Sequence, residues 1–222
     1  MNLLHQILDI FLHLDKHLTE VTQQYGALTY ALLFAIIFCE TGLVILPFLP
    51  GDSLLFAAGA LGALGTLHPW ALVVLLCIAA ILGDAVNYSI GHFLGPKLKA
   101  EGKLPFIKQE YLDRTHKFYE KYGKSTIILA RFVPIVRTFA PFLAGVGSMS
   151  YTQFAAYNII GGVLWVNLFT WAGYFFGNIE FVRKNFGMVI IAIMIISVVP
   201  LVIEFIKFRQ ESKAEAAAAQ KP

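Results

Sequence analysis

Apolar positions run through this chain in long unbroken stretches, not in alternating rows. Four stretches are long enough for a membrane helix: Ala27 to about Leu46, Trp70 to Leu94, Phe154 to Phe176, and Phe186 to Phe208. A hydrocarbon core of ~30 Å takes about 20 apolar residues in helical form. Two further apolar stretches are broken. The first runs from Pro47 to about Leu67, where Pro47, Pro50 and Gly51 interrupt the helix and Asp52 brings a charge, with Glu40 shortly before. The second, "STIILARFVPIVRTFAPFLAGVG" from Ser125 to Gly147, contains Arg131, Pro134, Arg137 and Pro141. Non-helical backbone at membrane depth is tolerated only where protein covers it or it lines a wet cavity. Both stretches therefore predict re-entrant hairpins, about 47–67 and 125–147, with their broken tips near the midplane.

Residues 1–25 carry a different pattern. Leu4, Ile7, Phe11, Leu14, Leu18 and Val21 recur at helical spacing opposite Asp9, His13, Lys16 and Glu20. This predicts an interfacial amphipathic helix in preference to an extra span. The first charges are Asp9 and Asp15, with no basic segment before them, so a secretory signal is not expected. The composition agrees with a membrane domain over 26–208: 58% hydrophobic, 14% charged, mean hydropathy +0.69. A soluble domain of this size needs more polar surface to cover its core.

The distribution of charge sets sidedness. The segment Gly95 to Lys124 holds eight Lys and Arg against four acids, and the tail, 209–222, adds Arg209, Lys213 and Lys221. Basic segments stay in the cytoplasm, which places both termini there and makes the second hairpin enter from that side. The first must then enter from the outer face. Opposed hairpins of this kind are the signature of an inverted repeat, the architecture of secondary transporters. A weak echo between "PGDSLLFAAGAL" and "PIVRTFAPFLAGVG" points the same way. The expected fold is thus an all-α integral membrane protein with about four spans and two opposed hairpins.

Ionisable groups inside a membrane cost roughly 2.5–3.5 kcal/mol each on insertion scales, so they mark function or internal pairing. Five stand in apolar stretches: Glu40, Asp52, Asp84, Arg131 and Arg137. If the hairpin tips meet, two acids face two arginines. They can act as ion pairs that pin the tips. Alternatively, the arginines receive an anionic head group, since guanidinium forks onto phosphate oxygens. Ser53 and Thr138 stand beside these charges as accessory polar groups. Asp84 shares a helix face with Asn87, Tyr88 and Gly91, a spacing that fits helix packing as well as function. Trp70, Trp165 and Trp171 read as interfacial anchors or packing. Cys39 and Cys77 read as small hydrophobes.

Three segments, "FLPGDSLLFAAGALG" from Phe48, "GDAVNYSIGHFLG" from Gly83 and "ARFVPIVRTFAPFLAG" from Ala130, resemble the signature of the DedA family. These are bacterial inner-membrane proteins that share the SNARE-associated, or VTT, domain with eukaryotic lipid scramblases. The resemblance covers roughly Tyr25 to Phe208. It implies a re-entrant-hairpin fold and movement of lipid across the bilayer, notably of the carrier undecaprenyl phosphate, with dependence on the proton-motive force. The family's two arginines correspond to Arg131 and Arg137, which in the leading expectation hold the phosphate, and its acids to Glu40 and Asp52. Glu40 and Asp52 become the proton-coupling or counter-charge acids.

The leading expectation is a lipid translocase in the inner membrane. A proton-coupled cation antiporter and a general phospholipid scramblase are the alternatives. Two arginines are poor lining for a cation path. An enzyme is not expected, because no histidine lies deep in a span to serve as a base. The partners implied are a polyprenyl phosphate or phospholipid, and protons. Self-association is left open, and no nucleic acid, cofactor or metal is expected.

Overall fold

Helix satisfies every backbone group within its own segment, the requirement that apolar surroundings impose. Among the described residues of the computed structural model, every regular element is helical. Those residues are 26–43, 51–101, 109–147, 149–177 and 179–180, with isolated positions at 182, 188–189 and 192. The helices are α1 (Leu28–Gly42), α2 (Gly51–Ala63), α3 (Pro69–Glu101), α4 (Gln109–Tyr122), α5 (Thr126–Leu129), α6 (Pro134–Val146) and α7 (Tyr151–Phe176). Short 3₁₀ turns, Gly123–Ser125 and Ala130–Phe132, flank α5.

Two helices are long and apolar enough to cross a bilayer, Pro69–Gly95 within α3 and Tyr151–Phe176. At 27 and 26 residues each reaches ~40 Å at 1.5 Å per residue. Both coincide with spans expected from the sequence. Their outer faces carry exposed apolar rows: Trp70, Val74, Ile78, Leu82 and Val86 on α3, and Ile160, Leu164 and Leu168 on α7. Apolar surface of that extent belongs against lipid.

The expected span from Ala27 to Leu46 is corrected. Its helix stops at Gly42, where the Thr41 hydroxyl turns back on the Ile37 carbonyl at 3.0 Å and Leu43 is extended. Fifteen residues reach only ~22 Å. Pro141 is also not a break, because α6 continues through it to Val146. The ring only denies the Arg137 carbonyl its usual N–H one turn on. The interruption instead falls at Val133, extended ahead of Pro134, which opens α6 as the first helical residue. The predicted helix over 1–25, the chain between Leu43 and Gly51 with Pro47 and Pro50, the tail and, but for positions 188–189 and 192, the span from Phe186 to Phe208 lie outside the described residues.

Close packing sets the directions of the helices. A β-carbon on Gly59 of α2 would stand 2.0 Å from the Thr170 carbonyl, and one on Gly173 of α7 1.9 Å from the Phe56 carbonyl. The same reciprocity joins α3 to α6. A β-carbon on Gly91 would lie 2.0 Å from the Phe142 carbonyl, and one on Gly145 2.0 Å from the Tyr88 carbonyl. Backbones this close need glycine on both sides. The pairings run parallel, α2 along α7 and α6 along α3. The long helices run antiparallel, with Trp70 against Trp171 at one end and Asn158 bonded to the Ile81 carbonyl deeper in. Consequently α2 and α6 point toward opposite ends of the molecule.

Helix α1 runs parallel to α3. The His68 N–H donates to the Tyr30 hydroxyl at 2.6 Å where both begin, and Gly42 meets Gly83 half-way along. The start of α1 therefore lies at the end away from the basic segment. Amphipathic α4 closes the other end, its Tyr119 hydroxyl donating to the Ala140 carbonyl at 2.9 Å.

Candidate functional site

The short helices α2 and α6 begin at one place in the interior. Gly51 opens α2, and its N–H donates to Glu40 Oε1 at 3.3 Å from the last turn of α1. A β-carbon there would stand 1.9 Å from Glu40 Oε2, so glycine is what lets the carboxylate reach the helix start. Asp52 follows in the first turn of α2, where the dipole favours an anion. Arg137 lies in the first turn of α6, against its dipole, and two carboxylates answer it.

Arg137 Nη1 donates to Asp52 Oδ1 at 2.9 Å, and its Nη2 donates to Glu40 Oε1. The two branches of the fork thus engage different acids on different helices. Asp52 Oδ1 also accepts the Trp165 indole N–H at 2.8 Å. Arg131, in the turn before Val133, forms a second group. Its Nη2 donates to Asp84 Oδ2 and to Asn158 Oδ1, each at 2.5 Å. Asn87 ties the two groups together, giving Nδ2–H bonds to the Thr41 carbonyl at 3.1 Å and the Thr138 carbonyl at 2.8 Å.

All five ionisable residues are buried, none more than 8% exposed. Burying ions costs several kcal/mol each unless partners answer them. Here the answer is incomplete. Among the described residues three carboxylates face two guanidiniums, and Glu40 Oε2, Asp84 Oδ1, Arg131 Nε and Arg131 Nη1 find no hydrogen-bond partner. An apolar core would have joined these helices at less cost, which makes the cluster the candidate site.

The structure brings together every described charge singled out in the sequence, with one difference in pairing. Both Glu40 and Asp52 go to Arg137. Arg131 is answered by Asp84, which the sequence left between packing and function. Ser53 is buried beside Asp52, and Thr138 enters through its carbonyl. Asn87 stood in the sequence reading beside Asp84 as helix packing; Asn158 was missed, and Trp165 was read only as an anchor or packing. Their trace was present in "NIIGGVLW", whose Asn158, Gly161, Gly162 and Trp165 fall at i, i+3, i+4 and i+7.

Further along α3 a surface pocket of about 440 Å³ opens between Tyr88, His92, Gly147, Met149, Ser150 and Tyr151. Tyr88 stands one turn beyond Asp84, so the pocket sits above the buried Arg131 group at the end of the molecule that carries the basic segment.

The VTT domain family matches residues 49–175, the stretch that carries both short helices, both long ones and four of the five buried charges. The chain belongs to the VTT-domain, or DedA, family. It is 56% identical over 218 residues to Protein DedA of Escherichia coli K12, covering 97% of this chain and 100% of that one. An uncharacterized membrane protein of Mycobacterium leprae is 46% identical over 76% of this chain and 75% of its own. The inner membrane protein YqjA of E. coli K12 is 35% identical over 91% of both. No solved structure matches this DedA-family chain.

Proposed function

We propose that this DedA-family protein translocates an anionic lipid across the bacterial inner membrane, undecaprenyl phosphate in the first instance, with protons as the coupling ion. The observation that carries the reading is the Arg137 fork, held by two carboxylates where two oppositely directed short helices begin. One phosphate carries oxygens enough to accept from both branches of a guanidinium, so it can take the place of the two carboxylates on Arg137. Arg131, two of whose buried N–H-bearing nitrogens are unengaged among the described residues, offers further donors.

Charge balance then links lipid to proton. Among the described residues the three carboxylates exceed the two guanidiniums by one, a charge that one proton balances. An entering phosphate brings more negative charge into the same volume, and protonation of Glu40 or Asp52 removes the competing anion. The head group crosses on the arginines while the polyprenyl tail stays in lipid beside the apolar rows of α3 and α7.

The helix directions support the membrane arrangement of this reading. In this reading α1 and α2 are the two arms of one re-entrant hairpin. The segment from Gly123 to Phe132 and α6 are the arms of the other, and each hairpin is followed by a span. With the basic segment cytoplasmic, the first opens outward and the second inward, an inverted repeat with its site at the midplane. Its arms extend the first hairpin back to Leu28, well before the 47–67 expected from the proline breaks.

The excess carboxylate is the one feature that favours a proton-coupled cation antiporter. Reconstitution separates the two. Vesicles carrying the protein and a head-group-accessible polyprenyl phosphate should transfer that lipid faster under a pH gradient, and faster than a zwitterionic phospholipid. Cation-dependent proton movement without lipid transfer would overturn the lipid reading.

A further inference from the structure

Asn158, Gly161, Gly162 and Trp165 are all buried on one stripe of α7, and every one of them meets an arginine. Asn158 Oδ1 accepts from Arg131 Nη2 at 2.5 Å. A β-carbon on Gly161 would stand 3.1 Å from Arg131 Nε, and one on Gly162 3.4 Å from Arg131 Nη2. The stripe is a cradle cut to the shape of a guanidinium. At its upper end the Trp165 ring lies 5.9 Å from Arg131 Cζ and 5.2 Å from Arg137 Cζ, within the range of cation–π attraction.

The indole N–H completes the arrangement. It donates to Asp52 Oδ1, the same oxygen that accepts Arg137 Nη1. A tryptophan that only fills the core needs none of these contacts, and a phenylalanine would serve there. We propose that Trp165 is a positioning residue that couples the two arginines. Its N–H holds the carboxylate that answers Arg137, while its ring faces both guanidiniums. Asp52 cannot leave Arg137 without releasing the indole N–H, and the freed ring then changes what Arg131 sees. Movement of Arg131 is transmitted in reverse by the same contacts. In its transport arm this rests on the function proposed above; in its spectroscopic arm it needs only the geometry.

The test uses the full chain in lipid nanodiscs with Trp70→Phe and Trp171→Phe, which leaves Trp165 as the single tryptophan. The readout is the indole ¹H–¹⁵N resonance. Asp52→Asn should shift it, because the N–H loses a charged acceptor. Asn158→Ala is neutral, stands two turns away and touches Arg131 rather than the indole; it should shift the resonance as well. A resonance moved by Asp52→Asn but not by Asn158→Ala would reduce Trp165 to packing. One moved by neither would remove the Asp52 bond itself.

In the transport arm, Trp165→Phe keeps a ring and loses the donor. Gradient-driven transfer of a polyprenyl phosphate should fall about tenfold, the worth of one charge-assisted bond. Parental transport by a folded Trp165→Phe protein would overturn the proposal. If the parent itself moves no phosphate lipid, the proposed function fails, and the indole resonance still decides the coupling.

Discussion

Removing one acid from the buried cluster should cost very different amounts depending on which arginine it answers. Arg131 is 2% exposed and Asp84 is the carboxylate bonded to it, with Asn158 as a neutral companion. Breaking such a pair from one side leaves a charge uncompensated, at about 3–5 kcal/mol. Asp84→Asn keeps volume and an acceptor oxygen, which sets its cost near the lower figure, about 3 kcal/mol. Arg137, in contrast, is shared by Glu40 and Asp52. Glu40→Gln leaves it a full partner and brings the cluster to two carboxylates for two guanidiniums. Its cost should be that of one weakened hydrogen bond, about 1 kcal/mol. The difference of ~2 kcal/mol corresponds to ~4–8 °C in thermal midpoint for a chain of this length. Thermal unfolding of the purified variants in one detergent, followed by loss of tertiary fluorescence, measures it. Asp84→Asn combined with Arg131→Gln should recover at least half of the loss, since both charges are then gone. Equal midpoints for the two single variants, or Glu40→Gln the less stable, would refute this account of the pairing.

Arg137→Lys should lose lipid transfer in vesicles nearly as completely as Arg137→Ala, because one ammonium cannot reach Asp52 and Glu40 as two branches do; parental transfer would count against the fork. Asp52→Asn should keep phosphate-lipid binding and lose its response to a pH gradient, and an unchanged response would exclude Asp52 as the coupling acid. Gly173→Leu should prevent folding, seen as loss of monodisperse protein after extraction, because even its first carbon meets the Phe56 carbonyl at 1.9 Å. Single cysteines at Thr66 and His116 should label from opposite faces of inside-out and right-side-out vesicles, with residue 27 labelling alongside 66; a shared face for 66 and 116 would end the opposed-hairpin arrangement.

The sequence exposed the long helices because a lipid-facing span announces itself by hydropathy alone, as Trp70–Leu94 and Phe154–Phe176 did. It also exposed the charges, which stand out against apolar neighbours. What it concealed was depth and partnership. α1 ends at Gly42, which lies against Gly83, and one glycine inside an apolar run is too weak a signal to set where a span stops. Pro141 looked like a break because proline usually is one, yet α6 passes through it. Asp84 and Arg131 are separated by 47 positions, and only the parallel packing of α3 and α6 shows that they meet. Trp165 read as an anchor or as packing, since its bond to Asp52 joins positions 113 apart.

The interlocked glycines have a consequence for how the chain can be divided. By sequence, α2 precedes α3 and α6 precedes α7, so each short helix would be grouped with the long helix that follows it. By packing, each is seated on the other's long helix: α2 on α7 and α6 on α3. The halves of this protein are therefore exchanged, as arms are between two people each gripping the other's elbow. Cutting the chain between Glu101 and Gln109 would leave α2 without the groove that receives it and α6 without its own. Neither fragment has a complete interior, whereas the two made together can rebuild one. The mechanical parts of the molecule are thus assembled across its midpoint, and a displacement of one long helix must carry along a short helix from the opposite half.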